Sequence, residues 1–365
     1  MKIVISAGDP SGDIRGGELL EELKKSTSLE VSGLGGSNIE KAGGTVLFNL
    51  DEYSVMGFAE VLSSLAKFRR LRREMKSHIL STDPDILLLI DYPGFNIPLA
   101  CWAARRGYLV IYYISPQLWA WGLKRVRKIR RSVNLMITLF QFEVDFYSKY
   151  GVTARCSGHP LADSIPKPLE SHLSGEIAFL PGSRRQEVSL LLTPMIESFV
   201  ILRDAGLVCR AAVAVSPDVP AELYEQAGKV EGLRLASSVE DALSKASAAV
   251  VCSGTATLET AMWGIPFIIT YRTSPLTYFL ARILVRGVSN IGMANIVTGE
   301  KIAPELIQND VCAENIVRHV KPLLQDTDTR RESLNGMNLV REALGAGGSS
   351  GRAAGYILEA FDENS

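Results

Sequence analysis

The sequence predicts an α/β protein built from two Rossmann-like domains, each a parallel sheet covered by helices. Three observations carry that expectation. The 365 residues exceed the usual size of a single hydrophobic core. Short apolar runs alternate with helix-period segments in both halves, the signature of βαβ units. Three of the strands end in turns of small residues that open helices, at Ala7–Asp13, Gly182–Arg184 and Ser253–Thr257, where unpaired helix amides favour an anion. A hydrophobic fraction of 47% excludes a disordered chain. The five cysteines are scattered without a C-x-x-C pair, which excludes a disulfide scaffold and suits a reducing cytoplasm. No signal-peptide pattern opens the chain, and no run approaches the roughly 18 apolar residues of a membrane span, so any membrane contact is expected at the surface.

The first strand is Lys2–Ser6, followed by the glycine-bearing turn and a helix to about Lys25. The turn lacks G-x-G-x-x-G, which counts against a dinucleotide cofactor; no cofactor and no metal are expected. Further strands follow at Val31–Leu34, Ile86–Ile90, Leu109–Ile114 and Leu135–Leu139. Between them, Phe58, Leu62, Leu65, Phe68, Leu71, Met75 and Ile79 recur at three- and four-residue steps, with Arg69, Arg70, Arg72 and Arg73 on the flanks. Two readings stand: a helix with its apolar side on the sheet, or an interfacial helix with that side in a lipid headgroup layer. Residues 61–140 carry a net charge of +10 and the remainder −11, which suggests a basic face for anionic lipid, nucleic acid or a phosphorylated substrate.

Asp91 stands at the carboxyl end of a buried strand, where open α/β sheets collect ligands, and is a candidate general base. Asp83-Pro84-Asp85 resembles a metal-binding pair but precedes its strand, at the wrong end of the sheet. The aromatics Tyr112, Tyr113, Trp119 and Trp121 precede the basic run 124–131; without an RNA-binding signature, a sugar and an anionic group are better partners than nucleic acid. His159 precedes a proline and reads equally as a packed turn residue or a ligand.

Residues 165–174 read as a linker, giving domains at 1–164 and 174–344 and a glycine-rich hinge with a terminal helix at 345–365. The hinge permits exchange of C-terminal elements between protomers, so a homodimer is an open option. In the second domain, Gly182 and Ser183 let the backbone approach an anion, and Arg184 can fork onto a diphosphate. Ser253, Gly254, Thr255, Ala256 and Thr257 form a second such turn, with Glu259 one helical turn deeper and suited to sugar hydroxyls. Strands are expected at Ile177–Leu180, Cys209–Val215, Leu233–Ala236, Ala248–Cys252 and Phe267–Tyr271.

Taken in order, Ser6-Ala7-Gly8 with Ser11-Gly12-Asp13, Val55-Met56-Gly57, Asp91–Asn96, Ser115–Trp121, Phe142-Glu143, Gly158–Leu161, Leu180–Arg184, Ser253–Glu259 and Pro304–Gln308 resemble the lipid-A-disaccharide synthase family over nearly the whole chain. Asp9-Pro10 departs from the Glu-Ala that many members carry. The resemblance implies the GT-B architecture, two Rossmann-like domains facing a cleft, with C-terminal helices that cross back to the first. It implies transfer of 2,3-diacylglucosamine from its UDP derivative to 2,3-diacylglucosamine 1-phosphate, forming a β-1,6 disaccharide and UDP. It also implies that Arg184, Glu259 and Asn295 serve UDP, that Asp91 is an essential acid, and that Met56–Lys76 touches the inner face of the cytoplasmic membrane.

The residues agree with that chemistry. Displacement of UDP with inversion needs a base beside the acceptor hydroxyl, for which Asp91 is the first candidate and Asp13 the second. Amides of the 182–184 and 253–257 turns and Arg184 are expected to hold the departing diphosphate. The alternatives are another GT-B enzyme, either a peptidoglycan lipid glucosaminyltransferase or a UDP-sugar 2-epimerase, and a non-catalytic UDP-sugar-binding protein.

Overall fold

A computed structural model describes residues 1–52, 61–120, 122–165, 167–169, 173, 175–275, 278 and 290–364, with the side chains of 61–65 outside the description. The chain divides into two compact units, Met1–Pro160 with Ala346–Ser365, and Leu161–Gly345.

The first unit holds a seven-stranded sheet. Its strands are β1 (Lys2–Ala7), β2 (Glu30–Gly35), β3 (Thr45–Asn49), β4 (Ile86–Ile90), β5 (Leu109–Tyr113), β6 (Leu135–Thr138) and β7 (Ala154–Cys156), in the spatial order 3-2-1-4-5-6-7. All pairs are parallel, and β1 and β4 sit in register from Ile3 beside Ile86 to Ala7 beside Ile90. A parallel sheet is covered on both faces, which is why β4 and β5 are apolar at every position. Alternate residues feed two cores. Val4, Leu87, Leu89 and Val110 face Leu71, Met75, Phe95, Leu99, Val126 and Ile129. Ile3, Ile5, Leu88 and Ile111 face Leu19, Leu20 and Leu23, together with Ala353, Ala354 and Ile357 of the C-terminal helix Ser349–Asp362.

That last contact carries the C-terminal end back to the first unit, as the family resemblance implies, and joins residues 346–365 to it. The C-terminal helix is part of the first unit's core, tied by Arg352 Nε donating to the Ser157 carbonyl at 2.8 Å. The second unit begins at Leu161, with helix Leu161–Ser164, rather than after the 165–174 segment.

The second unit holds β8 (Glu176–Leu180), β9 (Arg210–Ala214), β10 (Leu233–Ala236), β11 (Ala248–Cys252), β12 (Phe267–Tyr271) and β13 (Glu305–Ile307), in the order 10-9-8-11-12-13 and again parallel throughout. In each sheet the strand order reverses beside the first strand, between β1 and β4 and between β8 and β11. Ligands bind at such switch points, beyond the carboxyl ends of the strands.

Candidate active site

In the first unit the switch point is occupied by Asp91. The residue follows β4 in a left-handed conformation, φ +40°, and Tyr92 after it has φ +50°. Two consecutive left-handed residues that are not glycine cost of order 1–3 kcal/mol each and persist only where surroundings enforce them. Here the enforcement is visible. Asn96, wholly buried, donates through Nδ2 to the carbonyls of Asp91 at 2.8 Å, Ile90 at 3.1 Å and Ser6 at 3.2 Å, and accepts from Ser6 Oγ at 2.7 Å. The Tyr112 hydroxyl also donates to the Asp91 carbonyl. Gly8 completes the turn opposite, since a Cβ there would lie 2.2 Å from the Tyr92 ring.

Burial, followed by the charge of Asp9, pushes the Asp91 carboxyl up to about 6, against a smaller opposing effect of the Tyr92 amide. Asp91 therefore ionises just below neutrality, a suitable range for a base. It lines a cavity of about 220 Å³ with Pro93, Ile114, Ser115, Gln117 and Glu143.

Asp13 has another job. Its Oδ1 accepts from the amides of Gly36 at 2.7 Å and Ile39 at 3.2 Å, and its Oδ2 from the amide and side chain of Asn38 at 2.9 and 2.7 Å. All four hydrogen bonds that the carboxylate oxygens accept come from the loop after β2, so the side chain is engaged by the protein rather than aimed at a substrate. The candidacy of Asp13 as a base is withdrawn: it fixes the loop after β2.

In the second unit a cavity of about 520 Å³ opens at the switch point, lined among others by Gly182, Ser183, Arg184, Ser253, Thr255, Ala256 and Glu259. Ser216, Pro217, Ser237 and Ser238, from the loops after β9 and β10, complete it and had no signal in the sequence beyond their turn composition. Helix Thr255–Met262 starts at the cavity, so the amides of Thr255 and Ala256 lack intrahelical partners there, while that of Thr257 donates to the Gly254 carbonyl at 3.1 Å. Burial, then the charge of Glu240, raises the Glu259 carboxyl.

The 182–184 turn is arranged differently from expectation. The Glu187 carboxylate accepts from the amides of Ser183 at 3.1 Å and Arg184 at 3.2 Å, closing a cap on helix Arg185–Asp204. Those amides are spent on a side chain of the same turn and are not open to a diphosphate. Gly182, at φ +113°, is required because a Cβ would lie 2.4 Å from Glu187 Oε2. The Arg184 side chain is 82% exposed and only loosely paired with Glu187 at 3.3 Å, so it remains available.

The profile of the family described as lipid-A-disaccharide synthetase matches residues 3–359. The chain is 39% identical to the lipid-A-disaccharide synthase of Geobacter metallireducens, over 98% of this chain and 97% of the relative, and 33% identical to that of Coxiella burnetii strain CbuG_Q212, over 97% of each. The chain belongs to this family. It is accordingly a hexosyltransferase that forms the lipid A disaccharide. Solved structures of a calicheamicin glycosyltransferase (TM-score 0.64, 13% identity, 99% of this chain and 98% of that one) and of the Methanocaldococcus jannaschii UDP-GlcNAc 2-epimerase (TM-score 0.62, 11% identity, 98% and 100%) share its fold, the two-Rossmann architecture.

The residues for which the synthase resemblance implied roles sort into lining and scaffold. Arg184 and Glu259 line the cavity. Asn295 is fully buried behind it, its Nδ2 donating to the Ala303 carbonyl and Glu305 Oε1 at 2.9 Å each and its Oδ1 accepting from the Ala303 amide at 3.0 Å. With its amide consumed inside the protein, Asn295 braces this segment. Thr257 is likewise buried, donating to the Gly254 carbonyl at 2.7 Å and accepting from the Ala294 amide at 3.2 Å. Ser253 donates to the Ile291 carbonyl at 3.0 Å, and Glu305 accepts from the amides of Ile291 and Gly292. Glu305 thus centres a network that holds the 290–295 segment against the helix opening at Thr255.

Of the expected membrane segment, Met56 and Phe58 lie outside the described residues. Leu62 and Leu65 fall within helix Val61–Thr82, their side chains outside the description. From Phe68 onward the apolar side packs on the sheet: Leu71, Met75 and Ile79 are fully buried, and Phe68 meets Tyr92 at 6.2 Å between ring centres. The interfacial reading is corrected for this part. Arg69 and Arg73 are exposed, while Arg72 lies over the Phe95 ring at 5.6 Å. Among the described residues no helix is long and apolar enough to cross a membrane.

Proposed function

We propose that Asp91 is the general base of an inverting transfer from UDP-2,3-diacylglucosamine to 2,3-diacylglucosamine 1-phosphate. The acceptor's 6-hydroxyl attacks the anomeric carbon from the face opposite UDP. A carbon–oxygen bond forms there as the bond to the β-phosphate oxygen breaks; the hydroxyl proton passes to Asp91 and the electron pair leaves with UDP. Arg184 and the opening amides of helix Thr255–Met262 stabilise the charge gathering on the diphosphate, and Glu259 accepts hydrogen bonds from the ribose hydroxyls. The observation that supports the assignment is the partly buried carboxyl of Asp91, on a backbone held at φ +40° at the sheet switch point.

We infer that the enzyme works at the cytoplasmic face of the inner membrane, where its acylated substrates would lie. The helix Val61–Thr82 and the basic run 124–131 support this, because both pack through Leu71, Met75, Val126 and Ile129 on one core. Their outward sides, with Arg69, Arg73, Arg127 and Lys128 exposed, are basic and suited to anionic lipid.

Purified protein with both substrates is expected to yield the disaccharide and UDP. Asp91→Asn is expected to lower turnover by about two to four orders of magnitude with UDP affinity unchanged. Near-normal turnover in that variant removes the base assignment, and isomer formation from the UDP-sugar alone would indicate an epimerase.

A further inference from the structure

Helix Gln141–Lys149 carries a carboxyl group that the transfer chemistry above leaves unused. Glu143 is 3% exposed and lines the same cavity as Asp91. As the third helical residue it caps its own helix, Oε2 accepting from the Phe140 amide at 3.4 Å. A capping glutamate does this equally well in solvent, so capping does not account for the burial. The second oxygen does. Oε1 accepts from Trp119 Nε1 at 3.3 Å. One turn along the same helix, the Tyr147 hydroxyl donates to the Pro116 carbonyl at 2.8 Å. The loop 115–119 is therefore pinned at residues 116 and 119 by two side chains of one helix face. That loop leaves β5, the neighbour of β4, and its Ser115 and Gln117 form the wall of the cavity facing Asp91.

We propose that Glu143 is a positioning residue for the transfer reaction, holding the 115–119 loop in the form that seats the acceptor sugar beside Asp91. The inference rests on the reaction proposed above.

Every partner of Glu143 donates to it, so the loop is built around the carboxylate. Protonation would turn one oxygen into a donor facing other donors. Burial opposes those hydrogen bonds and moves the group up to about 7. The other titratable groups that sense it are Tyr147 on its own helix and Cys156 on β7, both raised and neutral at physiological pH; His159, stacked on Phe140 at 5.3 Å, is pushed down to about 4 by burial and by Arg15 and is also neutral. The loop should then loosen as pH falls through about 7, above the range in which Asp91 itself protonates.

The test measures kcat and KM for each substrate between about pH 5.5 and about pH 9, using intact enzyme and short-chain soluble substrates. Wild-type acceptor KM is expected to rise as pH falls through about 7, with donor KM flat. Glu143→Gln should raise acceptor KM about ten-fold at high pH and abolish that pH step, with UDP affinity unchanged. Trp119→Phe, which removes one donor and leaves the carboxyl, should raise acceptor KM about three-fold and move the step to higher pH. If Glu143→Gln fails to fold, Trp119→Phe decides alone. Wild-type acceptor KM and an unmoved pH step in the folded variants overturn the proposal. A wild-type enzyme that forms no disaccharide would instead overturn the reaction on which it rests.

Discussion

Asp91 and Glu143 reach the neutral range by burial within one cavity, and burial has a thermodynamic counterpart. Both folded values, about 6 and about 7, lie above the ordinary carboxylate values of 3.8 and 4.5. Ionising either group is therefore harder in the folded protein than in the unfolded chain. The resulting penalty is absent below about pH 4, grows as pH rises through each folded value, and is complete above about pH 7. For Glu143 it is of order 3 kcal/mol. Stability measured by denaturant unfolding should fall between about pH 4.5 and about pH 7.5, and the double variant Asp91→Asn, Glu143→Gln should flatten that fall. An equally steep fall in the double variant would assign the slope elsewhere. Asp91 was legible in the sequence because its chemistry follows from its place after an apolar strand. Glu143 was not, because what singles it out is burial and a tryptophan 24 residues away. The Thr257 hydroxyl looks available in the sequence, while its partner Ala294 lies 37 residues away; Asn295, given only by the resemblance, is likewise met by partners inside the protein.

The elements divide by how much apolar sequence they carry. β4, β8 and β11 were plain as buried runs, whereas β3, β7 and β13 were not recognised. β3 has a half-buried alternation and the other two span three residues each, too short for a period to register. Helix Val61–Thr82 was recognised by its spacing, which is silent on what the apolar side meets. The structure answers with Met75 at zero exposure in the sheet-facing core and Arg73 in solvent. Met75→Ala should cost about 2–5 kcal/mol of the first unit's stability. Arg73→Glu should change stability by less than about 0.5 kcal/mol yet weaken binding to phosphatidylglycerol vesicles, an effect that high salt suppresses. Sedimentation with vesicles and a melting curve separate the two; unchanged vesicle binding in Arg73→Glu would exclude that residue from the lipid-facing layer.

At the scale of the molecule, the two-sheet plan was readable from the alternation of strands and helices, and the destination of the last helix was not specified by it. A glycine-rich stretch at 345–351 says that the chain bends; its return to the first unit is implied by the family resemblance and shown by the packing. Ala353, Ala354 and Ile357 fill the same core as Ile3 and Ile5. Truncation after Gly345 should therefore lower the melting transition of the first unit and leave UDP binding by the second intact, as followed by calorimetry with and without UDP. An unshifted transition would mean that the helix is not needed for the first core.

The return of that helix also sets an order of assembly on the ribosome. Unit Leu161–Gly345 is complete in sequence before the final strip of the first unit's core has been synthesised. Domains ordinarily mature from the N terminus during synthesis. Here the domain begun first is the one finished last, and until the helix emerges, the apolar face formed by Ile3, Ile5, Leu19 and Leu20 stays partly uncovered. A chaperone that recognises apolar surface would find its target on the earlier-made half of the chain.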